Sequence, residues 1–248
     1  MRRITDLSYG EFSANRLDLY LPEQDSFDLL VYYHGGGLSG GGKEKQAHLF
    51  ELLVQRGIGV ASVEYRMYPD AAYPDFIEDA ACSAAWIKQH IVEFGNCRRI
   101  FLGGSSAGGY LSMMLCFDPR WLGAHGLSAG DFAGFVHDAG QPTKHFNVLR
   151  AAGEDPRRLI VDETAPLYHV GTTQSYPPML IIVSDRDLQN RYEQTLLLLS
   201  TLKHFDVPEE SVVLRVFHGK HCQYLRKKEP EGNLRFVDAV AEFIKDVQ

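Results

Sequence analysis

The chemistry in this chain centres on one serine. The run Leu102-Gly103-Gly104-Ser105-Ser106-Ala107-Gly108-Gly109 follows a short apolar stretch and opens a segment of helical character. A serine that must project its oxygen from a tight strand-to-helix turn leaves no room for side chains two residues to either side. Glycine on both flanks removes that collision. Ser106 has Gly104 and Gly108 in those places, whereas Ser105 has Gly103 before it and Ala107 after it. Ser106 is therefore the expected nucleophile. Phosphate-binding turns share the strand–glycine–helix pattern. A dinucleotide fingerprint is not in register here, and the Gly-Lys-Ser/Thr of a P-loop is absent from the run.

A second glycine cluster, His34-Gly35-Gly36-Gly37, ends the apolar run Leu29 to Tyr33. Acyl transfer through a tetrahedral intermediate needs backbone N–H groups aimed at one oxygen, and consecutive glycines let the main chain come that close. A third block, Val63-Glu64-Tyr65-Arg66-Met67-Tyr68-Pro69, precedes Tyr73-Pro74 and Glu78-Asp79. The three blocks together resemble the hormone-sensitive-lipase-like carboxylesterases, the fold-3 esterases and their arylformamidase-like relatives, over roughly Leu29 to His221. The resemblance implies an α/β-hydrolase fold, with oxyanion donors at Gly36, Gly37 and Ala107. It implies structural roles for Tyr65, Arg66 and Asp79 behind the oxyanion loop. The family carries a longer N-terminal cap than the stretch before the first strand here, so a more open site is expected.

Triad members in that fold follow the order serine, acid, histidine. Among ten histidines, His221 lies past the last strongly apolar strand and before the C-terminal helix, where a loop can return to the serine. The segment Phe217 to Cys222 resembles the family's histidine loop; His218 is the competitor. His34 is expected to hold the loop it opens, and His137, His145 and His169 are candidates to line a cap. For the acid, Met179 to Val183 runs into Ser184-Asp185-Arg186-Asp187. A carboxylate there would orient the histidine and stabilise its imidazolium form. The family spacing favours Asp187 over Asp185, which is left to pair with Arg186 or cap the loop. Cys222 is read as a small packed residue.

The elements that must position these groups alternate. Short runs of strand formers at Leu29–Tyr33, Ile58–Val63, Arg99–Leu102, Phe132–Val136, Met179–Val183 and Val212–Phe217 suit strands buried on both faces of a parallel sheet. Amphipathic segments at Gln46–Arg56, Phe76–Phe94, Arg191–Phe205 and Leu234–Val247 suit helices covering that sheet. Arg16 to Pro22 alternates at period two and predicts an antiparallel edge strand closed by the proline. One α/β domain over 1–248 is expected, with a small cap inserted at about 141–178 and a short helix near His145 to Ala152.

Composition limits the partners. A net charge of −7 opposes nucleic-acid binding, which needs a clustered basic surface. The one dense basic run, Arg226-Lys227-Lys228, is followed by Glu229 and Glu231 and reads as a solvated loop. No window approaches the ~20 apolar residues of a membrane span. No signal peptide is evident, and four scattered cysteines suit free thiols in a cytoplasmic protein. The expected activity is hydrolysis of a short-chain, acetyl-type ester on a small molecule, through an acyl-enzyme and without metal or cofactor. A formamide or other amide is the alternative substrate, and a catalytically silent ligand-binding protein is the alternative of another kind.

Overall fold

A computed structural model describes residues 1–24, 26–226 and 234–247. Beyond Arg226, the basic run and the glutamates after it fall outside the described residues. Eight strands form one sheet in the order β1-β2-β4-β3-β5-β6-β7-β8. They are β1 (Arg2–Ser8), β2 (Arg16–Leu21), β3 (Ser26–Tyr33), β4 (Ile58–Val63), β5 (Asn96–Ser105), β6 (Gly134–Asp138), β7 (Met179–Arg186) and β8 (Val212–Lys220). From β4 to β8 every neighbouring pair is parallel, and β2 joins β1 and β4 antiparallel. This is the α/β-hydrolase architecture that the motifs imply.

Strand β2 is antiparallel but not an edge. The edge belongs to β1, which pairs Arg2 with Leu21 and Ser8 with Arg16. Its sequence, Arg-Arg-Ile-Thr-Asp-Leu-Ser, is mostly solvent-facing, so it offers no apolar periodicity from which to read a strand.

The helices are α1 (Ala47–Gln55), α2 (Asp75–His90), α3 (Ala107–Phe117), α4 (Pro119–Gly123), α5 (Phe146–Ala151), α6 (Arg191–His204) and α7 (Arg235–Asp246). Side-chain alternation along the central strands divides the core in two. On β3, Leu29, Val31 and Tyr33 join the cluster that takes in α2, α3 and part of α6. Leu30 and Tyr32 face the other side, with Leu49, Phe50 and Leu53 of α1 and Phe236, Val237 and Val240 of α7. All eleven residues of α3 are buried, as befits a helix enclosed by sheet, helices and loops. No helix among the described residues is long and apolar enough to cross a membrane.

The segment 141–178 holds α5 and a single 3-10 turn at Pro166–His169. It is tied to the rest of the molecule, since the Tyr110 hydroxyl donates to the Thr164 carbonyl at 2.7 Å and Thr172 Oγ1 to that of Phe117 at 3.2 Å. Of the histidines considered for a cap, His145 and His169 lie in this segment, whereas His137 does not. It sits fully buried on β6, hydrogen-bonded through Nδ1 to Ser112 at 2.9 Å.

Helix α7 reaches the central sheet through Phe236, which is fully buried and meets Tyr32 edge-on at 6.2 Å. Truncating so enclosed a ring removes its transfer free energy and leaves a cavity, at about 3–5 kcal/mol. Phe236→Ala should therefore lower the denaturation midpoint with little change in m-value, measured by urea unfolding. An unchanged midpoint would show that α7 is not docked as described.

Candidate active site

At the carboxyl end of the sheet, β5 turns into α3 through Ser106. Its backbone is in an unusual left-sided conformation, φ 57° and ψ −110°. The glycines on either side are enforced by contact with the neighbouring strand. A Cβ on Gly108 would stand 1.8 Å from the Tyr33 carbonyl oxygen, and one on Gly104 would stand 2.4 Å from it. Both distances lie far inside van der Waals contact, so no rotamer could relieve them. The Ser106 N–H is anchored to the Asp138 carbonyl at 2.7 Å.

His221 stands in the turn after β8. Its Nε2 is 2.8 Å from Ser106 Oγ and its Nδ1 is 2.5 Å from Asp187 Oδ1. The Asp187 side chain is fully shielded from solvent. Burial works to raise its pKa, but the bond and charge of His221 and the N–H groups of Leu188 and Ser184 outweigh it and hold the carboxyl below its ordinary range. Ser184 Oγ donates to the Lys220 carbonyl at 2.9 Å, which ties the acid's strand to the histidine's loop.

The rival residues fall elsewhere. Asp185 accepts from His218 Nδ1 at 2.7 Å and from the Gly219 N–H at 2.9 Å, and the His218 side chain is largely exposed. Asp185 thus pairs with His218 and not with Arg186. Cys222 Sγ lies 3.6 Å from His221 Nε2. Burial pushes the Cys222 thiol pKa well up, so this sulfur stays protonated and is a poor nucleophile.

The His34–Gly37 loop lies against this corner. A Cβ on Gly35 would be 2.9 Å from the Ser105 carbonyl oxygen, and Gly36 and Gly37 have φ of 141° and 69°. Gly36 and Gly37 line a cavity of about 830 Å³ together with Ser106 and His221. Ala107 is the first residue of α3, so its N–H has no partner within the helix. Behind the loop, His34 Nε2 meets Glu64 Oε1 at 2.9 Å and its ring stacks on Tyr65 at 4.4 Å. The Tyr65 hydroxyl donates to the His34 carbonyl at 2.7 Å. Glu64 also accepts from the Lys43 N–H at 3.0 Å. Arg66 closes a two-pronged pair with Asp79.

Two groups have no counterpart in the sequence reading. Asn147 of α5 donates through Nδ2 to the Gly37 carbonyl, clamping the glycine loop from the opposite side. Beneath Ser106, the buried Asp138 accepts from Ser105 Oγ and from the Tyr224 hydroxyl, and Tyr32 donates to Ser105 at 2.7 Å. No local pattern marks Asp138, because its two side-chain partners lie 33 and 86 residues away in the chain.

Burial pushes the Asp138 carboxyl up to about 7, against the opposing bonds from Ser105 and Tyr224. The folded state then keeps a proton that the unfolded chain releases near the ordinary value of 3.8. Stability from this group is fully present below that value and falls as pH rises through about 7. His137, lowered by burial to about 3, acts in the opposite sense over much of the same window. The informative quantity is therefore a difference. Relative to wild type, Asp138→Asn should become progressively more stable between pH 4 and 7, by chemical denaturation across that range. A difference independent of pH would mean that Asp138 does not titrate there.

Residues 17–122 match the BD-FAE family model. Carboxylic ester hydrolase LipN of Mycobacterium tuberculosis is 37% identical over 121 residues, which is 46% of this chain and 31% of that protein. An acetyl esterase of Salmonella schwarzengrund is 32% identical over 107 residues, 42% of this chain and 32% of that one. The matches thus span less than a third of each relative's length. Among solved structures, esterase B of Lactobacillus rhamnosis superposes with a TM-score of 0.80 at 19% identity, covering 98% of this chain and 85% of that one. Over residues 17–122 the chain is thus similar to these ester hydrolases, and over its whole length it shares the α/β-hydrolase fold of the esterase structure.

Proposed function

We propose that this chain is a serine carboxylesterase that hydrolyses short acyl esters, acetyl-type above all, through Ser106, His221 and Asp187. One observation carries the reading: the His221 imidazole is hydrogen-bonded to Ser106 at 2.8 Å and to Asp187 at 2.5 Å, beside a glycine loop in an open cavity. Nucleophile, base and orienting acid stand in line.

Ser106 Oγ bonds to the ester carbonyl carbon while its proton passes to His221 Nε2. The carbonyl oxygen becomes an oxyanion, held by the N–H groups of Gly36, Gly37 and Ala107. The carbon–oxygen bond to the alcohol then breaks, and the leaving oxygen takes the proton from His221. Water attacks the acyl-enzyme and gives its proton to the same nitrogen. The bond to Ser106 breaks, its oxygen recovers that proton, and the carboxylic acid leaves. Asp187 stays ionised throughout and stabilises the imidazolium. The segment at 141–178 serves as a small cap within a single domain, since Phe146, Asn147 and Arg150 of α5 line the same cavity.

Ser106→Ala should lower kcat for 4-nitrophenyl acetate by at least about a thousandfold, while Asp187→Asn lowers it strongly without abolishing it. Wild-type rates in the serine variant would overturn the assignment. Faster turnover of an N-formyl aryl amide than of acetyl and butyryl esters would favour the amide reading, and no turnover of any of them a binding role.

A further inference from the structure

The cavity above Ser106 has a charge that the whole chain does not. The chain carries −7, yet among the described residues the cavity lining includes Lys45, Arg150 and Arg226 and no carboxylate. All three side chains are exposed, and none makes an ion pair with a described residue. The buried or half-buried cations nearest in the chain are neutralised at close range. Lys43, two positions before Lys45, contacts Asp18 at 2.7 Å and Asp6 at 3.0 Å, and Lys144 contacts Glu154 at 3.1 Å.

Two further features have the same sign. Lys45 and Gln46 stand at the start of α1, whose first turn holds no acidic residue and whose N-cap makes no side-chain hydrogen bond. The positive end of that helix is thus uncompensated. Gln46 is 6% exposed, lines the cavity, and its Oε1 has no hydrogen-bond partner. Turning its amide end for end would present N–H groups there instead. Arg150 is held in place. It donates to Asn147 Oδ1, and its guanidinium lies 5.9 Å from the Phe146 ring centre.

Resting on the esterase reading, we infer that the preferred substrate is an ester bearing a second, anionic group, a carboxylate, which Arg150 and Lys45 bind at the mouth of the cavity with Arg226 alongside. Phe146, Leu188 and Leu225 supply the apolar wall for the rest of the molecule. Among the described residues the cavity lining holds three cations around one opening, which suits a single compact charge better than a polyanion. Each exposed cation contributes little by itself, but converging on one carboxylate beside an apolar wall they favour it measurably.

The test compares kcat/KM for two matched pairs at low ionic strength. In 4-acetoxybenzoate and its methyl ester the charge sits on the alcohol side. In monomethyl and dimethyl adipate it sits on the acyl side. In at least one pair the anionic member should lead by about fivefold or more, through KM, and the lead should shrink at about 0.5 M salt. The pair that shows the lead identifies which half of the ester meets the cations. Arg150→Glu should reverse the preference, Lys45→Gln should reduce it, and Arg150→Lys should retain most of it. Equal turnover within both pairs, or a preference indifferent to Arg150 and Lys45, overturns the inference and leaves the esterase reading intact. Failure to hydrolyse any of the four, neutral members included, removes both.

Discussion

The close approach of the Tyr33–His34 backbone to the β5–α3 corner governs this site. The Tyr33 carbonyl oxygen occupies the volume where side chains at positions 104 and 108 would lie. That approach puts the glycine loop against the elbow and lets Ser106 hold its φ of 57°. A residue so placed costs on the order of 1–3 kcal/mol and persists only where its surroundings over-determine it. Here they do so through a paired central strand, a fully buried helix, and the bond from the Ser106 N–H to the Asp138 carbonyl.

Around this contact the molecule arranges two kinds of polar group. Under the elbow, Tyr32, Ser105, Asp138 and Tyr224 form a buried chain of hydrogen bonds. Leaving any one of these groups unpaired would cost the full desolvation penalty of a buried polar atom. At the surface of the site, by contrast, Lys45, Arg150 and Arg226 are exposed and unneutralised by described carboxylates. Buried groups therefore fix the geometry, while exposed ones remain available to a ligand.

The sequence made the sheet legible because its central strands are buried on both faces and read as unbroken apolar runs. Strand β1 escaped notice because it is an edge whose side chains mostly face water. That omission displaced β2 to the margin, although its alternation was real. The flanking glycines favour Ser106 over Ser105, the upstream glycine loop supports it as nucleophile, and chain order and family spacing point to His221 and Asp187. The structure brings those three within hydrogen-bond reach. Asp138, Tyr224 and Asn147 were not readable, because what gives them meaning is a partner 33 to 110 residues away. His137 reads in the sequence only as one of three candidates to line a cap. Its place on β6 among Phe117 and Phe135 shows a ring serving as core.

The central claim is that Ser106, and not its neighbour Ser105, is the activated oxygen. Reaction with a fluorophosphonate, followed by peptide mass spectrometry, tests it most directly. A single adduct on Ser106, lost in Ser106→Ala and kept in Ser105→Ala, is the predicted result. An adduct on Ser105, or no adduct on a folded protein, would contradict the account.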